Sequence, residues 1–247
     1  EIAREAADAS GRKVVVAGSM GPTGELLEPV GSLSMEDAVD AFVEQGRGLL
    51  EGGADVLWAE TISSEEEIAA VAEAARRLDA PLCGTLSFDT AGRTMMGITA
   101  SGYAELAARL PHRPLAFGAN CGVGASDLLR TVLGMADTDG ESVLIAKANA
   151  GVPKYVDGHI HYDGTPELMA EYAVLARRAG ARIIGGCCGT TPEHLVAMRE
   201  ALSAPRPEGR PSLDEIVAST GPFSSADDGS GDSGKAPART RRGRRRG

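Results

Sequence analysis

Apolar residues along this chain follow two alternating rhythms. Short continuous runs occur at Val14-Val15-Val16-Ala17, Val56-Leu57-Trp58, Leu82 to Phe88, Leu115 to Cys121, Val143 to Ala148 and Arg182 to Gly186. Between them lie longer stretches in which apolar side chains return at helical spacing: Ser34 to Glu51, Ser64 to Leu78, Ser101 to Leu110, Ala125 to Met135, Pro166 to Gly180 and Pro192 to Ser203. A short apolar run without alternation reads as a strand buried on both faces, and the spaced pattern reads as an amphipathic helix. A short opening helix stops at Ser10-Gly11, and a last one is predicted over Ser212 to Ser219. Ser34, and Ser63 or Ser64, stand where an N-cap is needed. Acidic residues follow each, where the positive end of a helix favours them.

Strands alternating with helices of this length imply a parallel sheet. The six strands begin about 34 residues apart, close to the roughly 31 residues of one unit in a TIM barrel. The spacing predicts an α/β protein of the (β/α)8 TIM-barrel class, present as a fragment lacking about the first two units. A doubly wound open sheet is the alternative. The barrel is favoured because glycine and polar residues cluster after the C-terminal ends of the strands, where barrel sites lie. Residues 1–222 are read as the partial barrel and residues 223–247 as a disordered tail, rich first in Gly, Ser and Asp and then in Arg.

Composition narrows the function classes. The chain has 247 residues, is 43% hydrophobic and only 4% aromatic, so its core must be mainly aliphatic. No run approaches the ~20 apolar residues of a membrane helix, and no secretory signal is visible. Net charge is −10, and the basic side chains of the tail make the rest of the chain more acidic still. An acidic body argues against nucleic acid as the main partner. Four cysteines in a chain of this length suit a reducing cytoplasm, where they bind metal or stay free.

The chemistry concentrates in Gly185-Gly186-Cys187-Cys188-Gly189. Adjacent cysteines are poorly placed to bridge each other, because a disulfide needs a wider Cα separation than neighbouring residues have. Two thiolates side by side suit a soft or borderline cation such as Zn²⁺. Cys121 ends another strand and is followed by Gly122, so three sulfurs are available and a fourth tetrahedral position would stay open for substrate. Cys83 reads instead as a buried small hydrophobe. A redox role for Cys187-Cys188 is the competing chemistry.

These elements closely resemble the zinc-dependent homocysteine S-methyltransferases. The likeness rests on Gly118-Ala119-Asn120-Cys121-Gly122, Ala148-Asn149-Ala150-Gly151 and Gly185-Gly186-Cys187-Cys188-Gly189-Thr190-Thr191-Pro192-Glu193-His194, and runs over about residues 1–203. Gly18-Ser19-Met20-Gly21-Pro22-Thr23-Gly24 is similar to the family's third-strand loop. The resemblance implies Zn²⁺ held by Cys121, Cys187 and Cys188, and Glu60 binding the amino group of homocysteine. It implies methyl transfer to the homocysteine thiol, giving methionine. The family's first two strands, which carry further homocysteine contacts, have no counterpart here. Within the family the chain looks most like bacterial betaine–homocysteine methyltransferases, which makes glycine betaine the expected donor, although Thr61 stands where those enzymes often have Tyr. The homocysteine module of cobalamin-dependent methionine synthase and a non-catalytic barrel fragment are the alternatives. Small molecules are the implied partners, with a homo-oligomer as a further expectation and no membrane.

Other candidates are weaker. A quaternary ammonium donor would want aromatic faces, and Trp58, Phe88, Tyr155 and Tyr162 lie near strand ends. His159 and His161 fall in a polar, turn-rich loop, where hydrogen bonding or donor contact is expected rather than metal. His194 is expected to cap or pack. Gly21 to Gly24 lacks the Lys-Ser/Thr of a phosphate loop.

Overall fold

The computed structural model describes residues 1–230 apart from residues 157 and 206. The alternation of the sequence is realised as α1 (Ile2–Ala9), β1 (Ala17–Met20), α2 (Met35–Glu51), β2 (Val56–Ile62), α3 (Glu65–Arg77), β3 (Leu82–Leu86), α4 (Ala100–Arg109), β4 (Ala116–Cys121), α5 (Ala125–Thr138), β5 (Leu144–Ala148), β6 (Lys154–Val156), β7 (His159–His161), α6 (Pro166–Arg178), β8 (Ala181–Gly186), α7 (Pro192–Ser203) and α8 (Leu213–Thr220). The expected caps are in place. The Ser34 side chain accepts from the Asp37 amide, and that of Ser64 from the Glu67 amide. Thr99, Thr165 and Ser212 cap α4, α6 and α8 in the same way.

The six long strands form one sheet in the order β1-β2-β3-β4-β5-β8, and every neighbouring pair is parallel. A doubly wound sheet reverses its strand order at a switch point, and this sheet does not. Successive helices also lie against one another, α2 on α3, α4 on α5, α5 on α6 and α6 on α7. The result is an α/β partial barrel, an arc of six β/α units with β1 and β8 at its edges.

Alternate side chains of the strands pack on opposite faces. Leu57, Ile62, Leu82, Leu86, Phe117 and Leu144 join the helices in the large outer core. Val56, Cys83, Ala116 and Ile145, with Trp58, Val143 and Ile183 against them, form a second cluster on the inner face. Cys83 is thus a packing residue, and burial pushes its thiol up.

Three local details differ from the sequence pattern. The first strand starts at Ala17, leaving Val14 and Val15 exposed. Among the described residues its one neighbour is β2, whose pairing begins at Ala17–Val56; Val16 is tied to Asp55, its amide 2.7 Å from Asp55 Oδ2. The polar stretch around His159 forms a two-stranded antiparallel hairpin, β6–β7. Residues 223–230, assigned to the tail on composition, lie against α5. Arg130 stacks 4.4 Å from the Phe223 ring centroid and donates to the Ser225 and Asp227 carbonyls, and the Ser224 amide donates to Asp127. The Arg-rich remainder of the tail lies outside the described residues.

Candidate metal centre and pocket

Cys121 is the last residue of β4, and Cys187 and Cys188 directly follow β8. β5 lies between those strands, and its C-terminal end fixes both cysteine loops. The Cys187 amide donates to Ala148 O at 2.8 Å, and the Ala150 amide donates to Cys188 O at 2.9 Å. Asn149, almost fully buried, accepts from the Cys188 amide at 3.1 Å and donates to Gly122 O at 2.9 Å. One side chain therefore spans the two loops. The three sulfurs lie within 4.8 Å of one another, with Cys121 Sγ 3.9 Å from Cys188 Sγ, and together they could hold a metal ion. Among the described residues no other group of His, Cys, Asp and Glu side chains meets so closely.

The glycines around the pair are steric requirements. A Cβ on Gly186 would stand 2.1 Å from Thr190 Oγ1, and one on Gly189, at φ +75°, would stand 2.4 Å from Tyr162 Cβ. The thiols also polarise one another. Cys121 hydrogen-bonds Cys187, which pulls the Cys187 thiol down despite its burial; Asn120, the Cys188 amide and the Lys147 charge act in the same direction. Cys121 is pushed up by the same hydrogen bond and by its burial.

Glu60 projects from β2 on the inner side of the arc. Ser19 donates to its Oε1 at 2.5 Å, and Lys147 of β5 donates to its Oε2 at 2.6 Å. Burial alone would raise the Glu60 carboxyl, but these partners outweigh it and hold the group below its ordinary value. The Lys147 ammonium also stands 5.1 Å from the centroid of the Trp58 ring.

Thr61, the next residue, adopts φ +65°, a left-handed conformation that a β-branched side chain resists. Asn120 holds it there: its Oδ1 accepts from the Thr61 amide and its Nδ2 donates to Thr61 Oγ1, both at 2.8 Å. The same Nδ2 lies 3.6 Å from Cys187 Sγ. The bend shifts the register between Ala59 and Ile62 and sets Glu60 on the rim that also carries the thiols. Asn120 thereby couples the carboxylate pocket to the sulfur cluster.

A family model for homocysteine S-methyltransferases matches residues 1–202. The chain belongs to that family. Among solved structures it is similar to the homocysteine methyltransferase MmuM of Escherichia coli. With the apo form it shares 26% identity at a TM-score of 0.64, over 80% of this chain and 67% of that one. With the metallated form the values are 25% and 0.62, over 80% and 65%. The chain thus spans about two thirds of the length of that enzyme.

Within this homocysteine S-methyltransferase fold the remaining candidates separate clearly. His159 and His161 are exposed on the hairpin and do not join the thiols. His194 caps α7, its Nδ1 accepting from the Thr191 amide at 3.1 Å while Nε2 lies 2.9 Å from Gly164 O. Phe88 is buried and Tyr155 exposed. The Tyr162 side chain packs over Gly189, next to Cys188, so this aromatic borders the cluster. The loop at Gly21 to Gly24 is tied down by a carboxylate, with Thr23 N and Oγ1 each 2.8 Å from Glu67 Oε1, which suits no phosphate. Ser19, Asn120, Lys147 and Asn149 were given no role by residue chemistry alone. Lys147 did leave a signal, since it is a single charge inside the apolar run Leu144-Ile145-Ala146-Lys147-Ala148.

Proposed function

We propose that this protein transfers a methyl group to the thiol of homocysteine, giving methionine, with Cys121, Cys187 and Cys188 holding Zn²⁺ and glycine betaine as the donor. The observation that carries the reading is the shared rim: three convergent sulfurs and the Glu60 carboxylate, joined through Asn120. The donor set fits the ion. Sulfurs about 2.3 Å from a tetrahedral zinc stand about 3.8 Å apart, and Cys121 and Cys188 are already 3.9 Å apart.

Zinc, when bound, supplies the acidity that makes a substrate thiol a thiolate at neutral pH. The chain's own residues do the rest. Asn120 and the Cys188 amide favour the ionised form of Cys187 that a metal requires. Glu60 receives the substrate ammonium in a charge-assisted hydrogen bond, which fixes the reacting sulfur relative to the donor. The homocysteine sulfur then attacks the donor methyl in line: a C–S bond forms, the C–N bond of betaine breaks, its electron pair stays on nitrogen as dimethylglycine, and the thiol proton passes to solvent. Tyr162 beside Cys188 offers an aromatic face to a cationic donor, and the acidic body does not repel one. We place this chemistry in the cytoplasm, whose reducing conditions keep three thiols free.

The test is to offer betaine, S-methylmethionine and methylcobalamin separately to the zinc-loaded, full-length protein with homocysteine. Methionine should form best from betaine. Cys187→Ala should lose stoichiometric zinc and activity, whereas Cys83→Ala should keep both. Methylation from methylcobalamin alone would transfer the protein to the methionine synthase branch. Absence of methionine from every donor would overturn the acceptor assignment.

A further inference from the structure

We infer that Lys147 reads the carboxylate of the incoming amino acid, and that its ion pair with Glu60 is the substrate-free form of a two-ended clamp for a zwitterion. This rests on homocysteine being the acceptor.

A lysine inside an apolar strand of a parallel sheet is costly unless paired. Lys147 is paired with Glu60, and both side chains are only about a quarter exposed, at 22% and 23%. The pairing uses one oxygen of the carboxylate, Oε2, because Ser19 already occupies Oε1. If Glu60 receives the substrate ammonium, two cations compete for one carboxylate, and Lys147 is the partner that the ammonium can displace. Lys147 then loses its counterion inside a half-buried pocket, unless the ligand brings one.

An α-amino acid brings one on the same carbon. Its ammonium replaces the Lys147 ammonium at Oε2, and its carboxylate takes the released lysine. Every charge keeps a partner and none is left buried alone. The lysine stem has room to turn: residue 185, which pairs with it across β5 and β8, is glycine, and a Cβ there would already touch Lys147 Cγ at 3.6 Å. The Trp58 ring, 5.1 Å from the ammonium, offers it a face that favours a cation as it changes partners.

A lysine that only neutralises Glu60 makes a different forecast. Its removal would change the binding of any aminothiol, whether or not that thiol carries a carboxylate. Binding of L-homocysteine and of 3-aminopropane-1-thiol, which lacks only the carboxylate, should therefore be measured by calorimetry on the zinc-loaded, full-length protein, on Lys147→Met and on Lys147→Arg. Zinc content and the thermal midpoint report folding of each variant. The native protein should prefer homocysteine. Lys147→Met should weaken homocysteine by about tenfold or more while leaving the aminothiol unchanged or tighter, and Lys147→Arg should restore much of the preference. Equal change for both ligands, or unchanged homocysteine binding in Lys147→Met, would overturn the clamp and leave the acceptor assignment standing. Failure of the native protein to bind homocysteine would overturn both.

Discussion

Asn120 ties the strand end that carries Glu60 to the thiol cluster, through Thr61 on one side and Cys187 on the other. It is 1% exposed, stabilises a threonine in a backbone region threonine avoids, and offers an N–H to a cluster sulfur. Asn120→Ala leaves the Thr61 amide without its acceptor and should cost about 1–3 kcal/mol, read as a lower denaturation midpoint. Asn120→Asp keeps an acceptor for Thr61 but sets a carboxylate toward Cys187. It should lose less stability than the alanine variant yet lose about 10–100-fold in metal affinity, the usual scale for partners of metal ligands. Native metal affinity in both variants would remove Asn120 from the cluster. The clustered cysteines were legible because their chemistry is rare and their flanking glycines mark close approach. Asn120 was not: its value lies in a contact 59 residues away, with Thr61, which no local pattern encodes.

Whole elements were the most legible level, for a physical reason. Helices α2, α3, α4, α6 and α8 each carry their own side-chain cap as well as an apolar stripe, and each buried strand is a short apolar run, so position and type are encoded locally. The hairpin β6–β7 escaped because its strands are only three residues each and those of β7 are exposed, so pairing rather than burial defines it. The segment after α8 escaped for a related reason. Its composition suggests disorder, but α5 offers it a nearly buried ion pair, Arg130 with Asp127 at 2.8 Å. The outward side of that pair is satisfied by Ser224, Ser225 and Asp227. Ser126 reaches the start of the segment at Gly221 O, 2.7 Å away. Truncation after Ser230 should leave the midpoint unchanged. Truncation after Gly221 strips partners from both buried charges, and Arg130→Met leaves Asp127 without its counter-charge, a change costing about 3–5 kcal/mol where the pair is buried. Thermal melts of the three variants check this, and equal midpoints for the two truncations would show that residues 222–230 contribute nothing.

For the molecule as a whole, strand spacing pointed to the barrel class but not to what lies beyond the outer strands, because edge pairing depends on partners rather than on pattern. The sheet runs from β1 to β8 in strict order without joining its ends. β1 presents Ala17 and Ser19 to solvent, and every residue of β8 after Ala181 retains some exposure. On the inner face of the arc, Trp58, Val143 and Ile183 stay only partly buried against the cluster of Val56, Cys83, Ala116 and Ile145. Unpaired backbone beside an apolar face is a template for another chain, and a closed barrel removes both at once. The 247-residue chain on its own should therefore associate through these edges, and its inner face should bind a hydrophobic dye. Sedimentation should show dimers or larger species whose population rises with concentration. A charged substitution on the short edge, Ala17→Lys, should shift that equilibrium toward monomer without disturbing the thiol cluster, which is built on β4, β5 and β8. A monomer with a single cooperative, high-temperature transition would contradict this. It would mean that the outer helices and the two separate apolar clusters suffice to hold the arc, and that closure matters for the pocket rather than for folding.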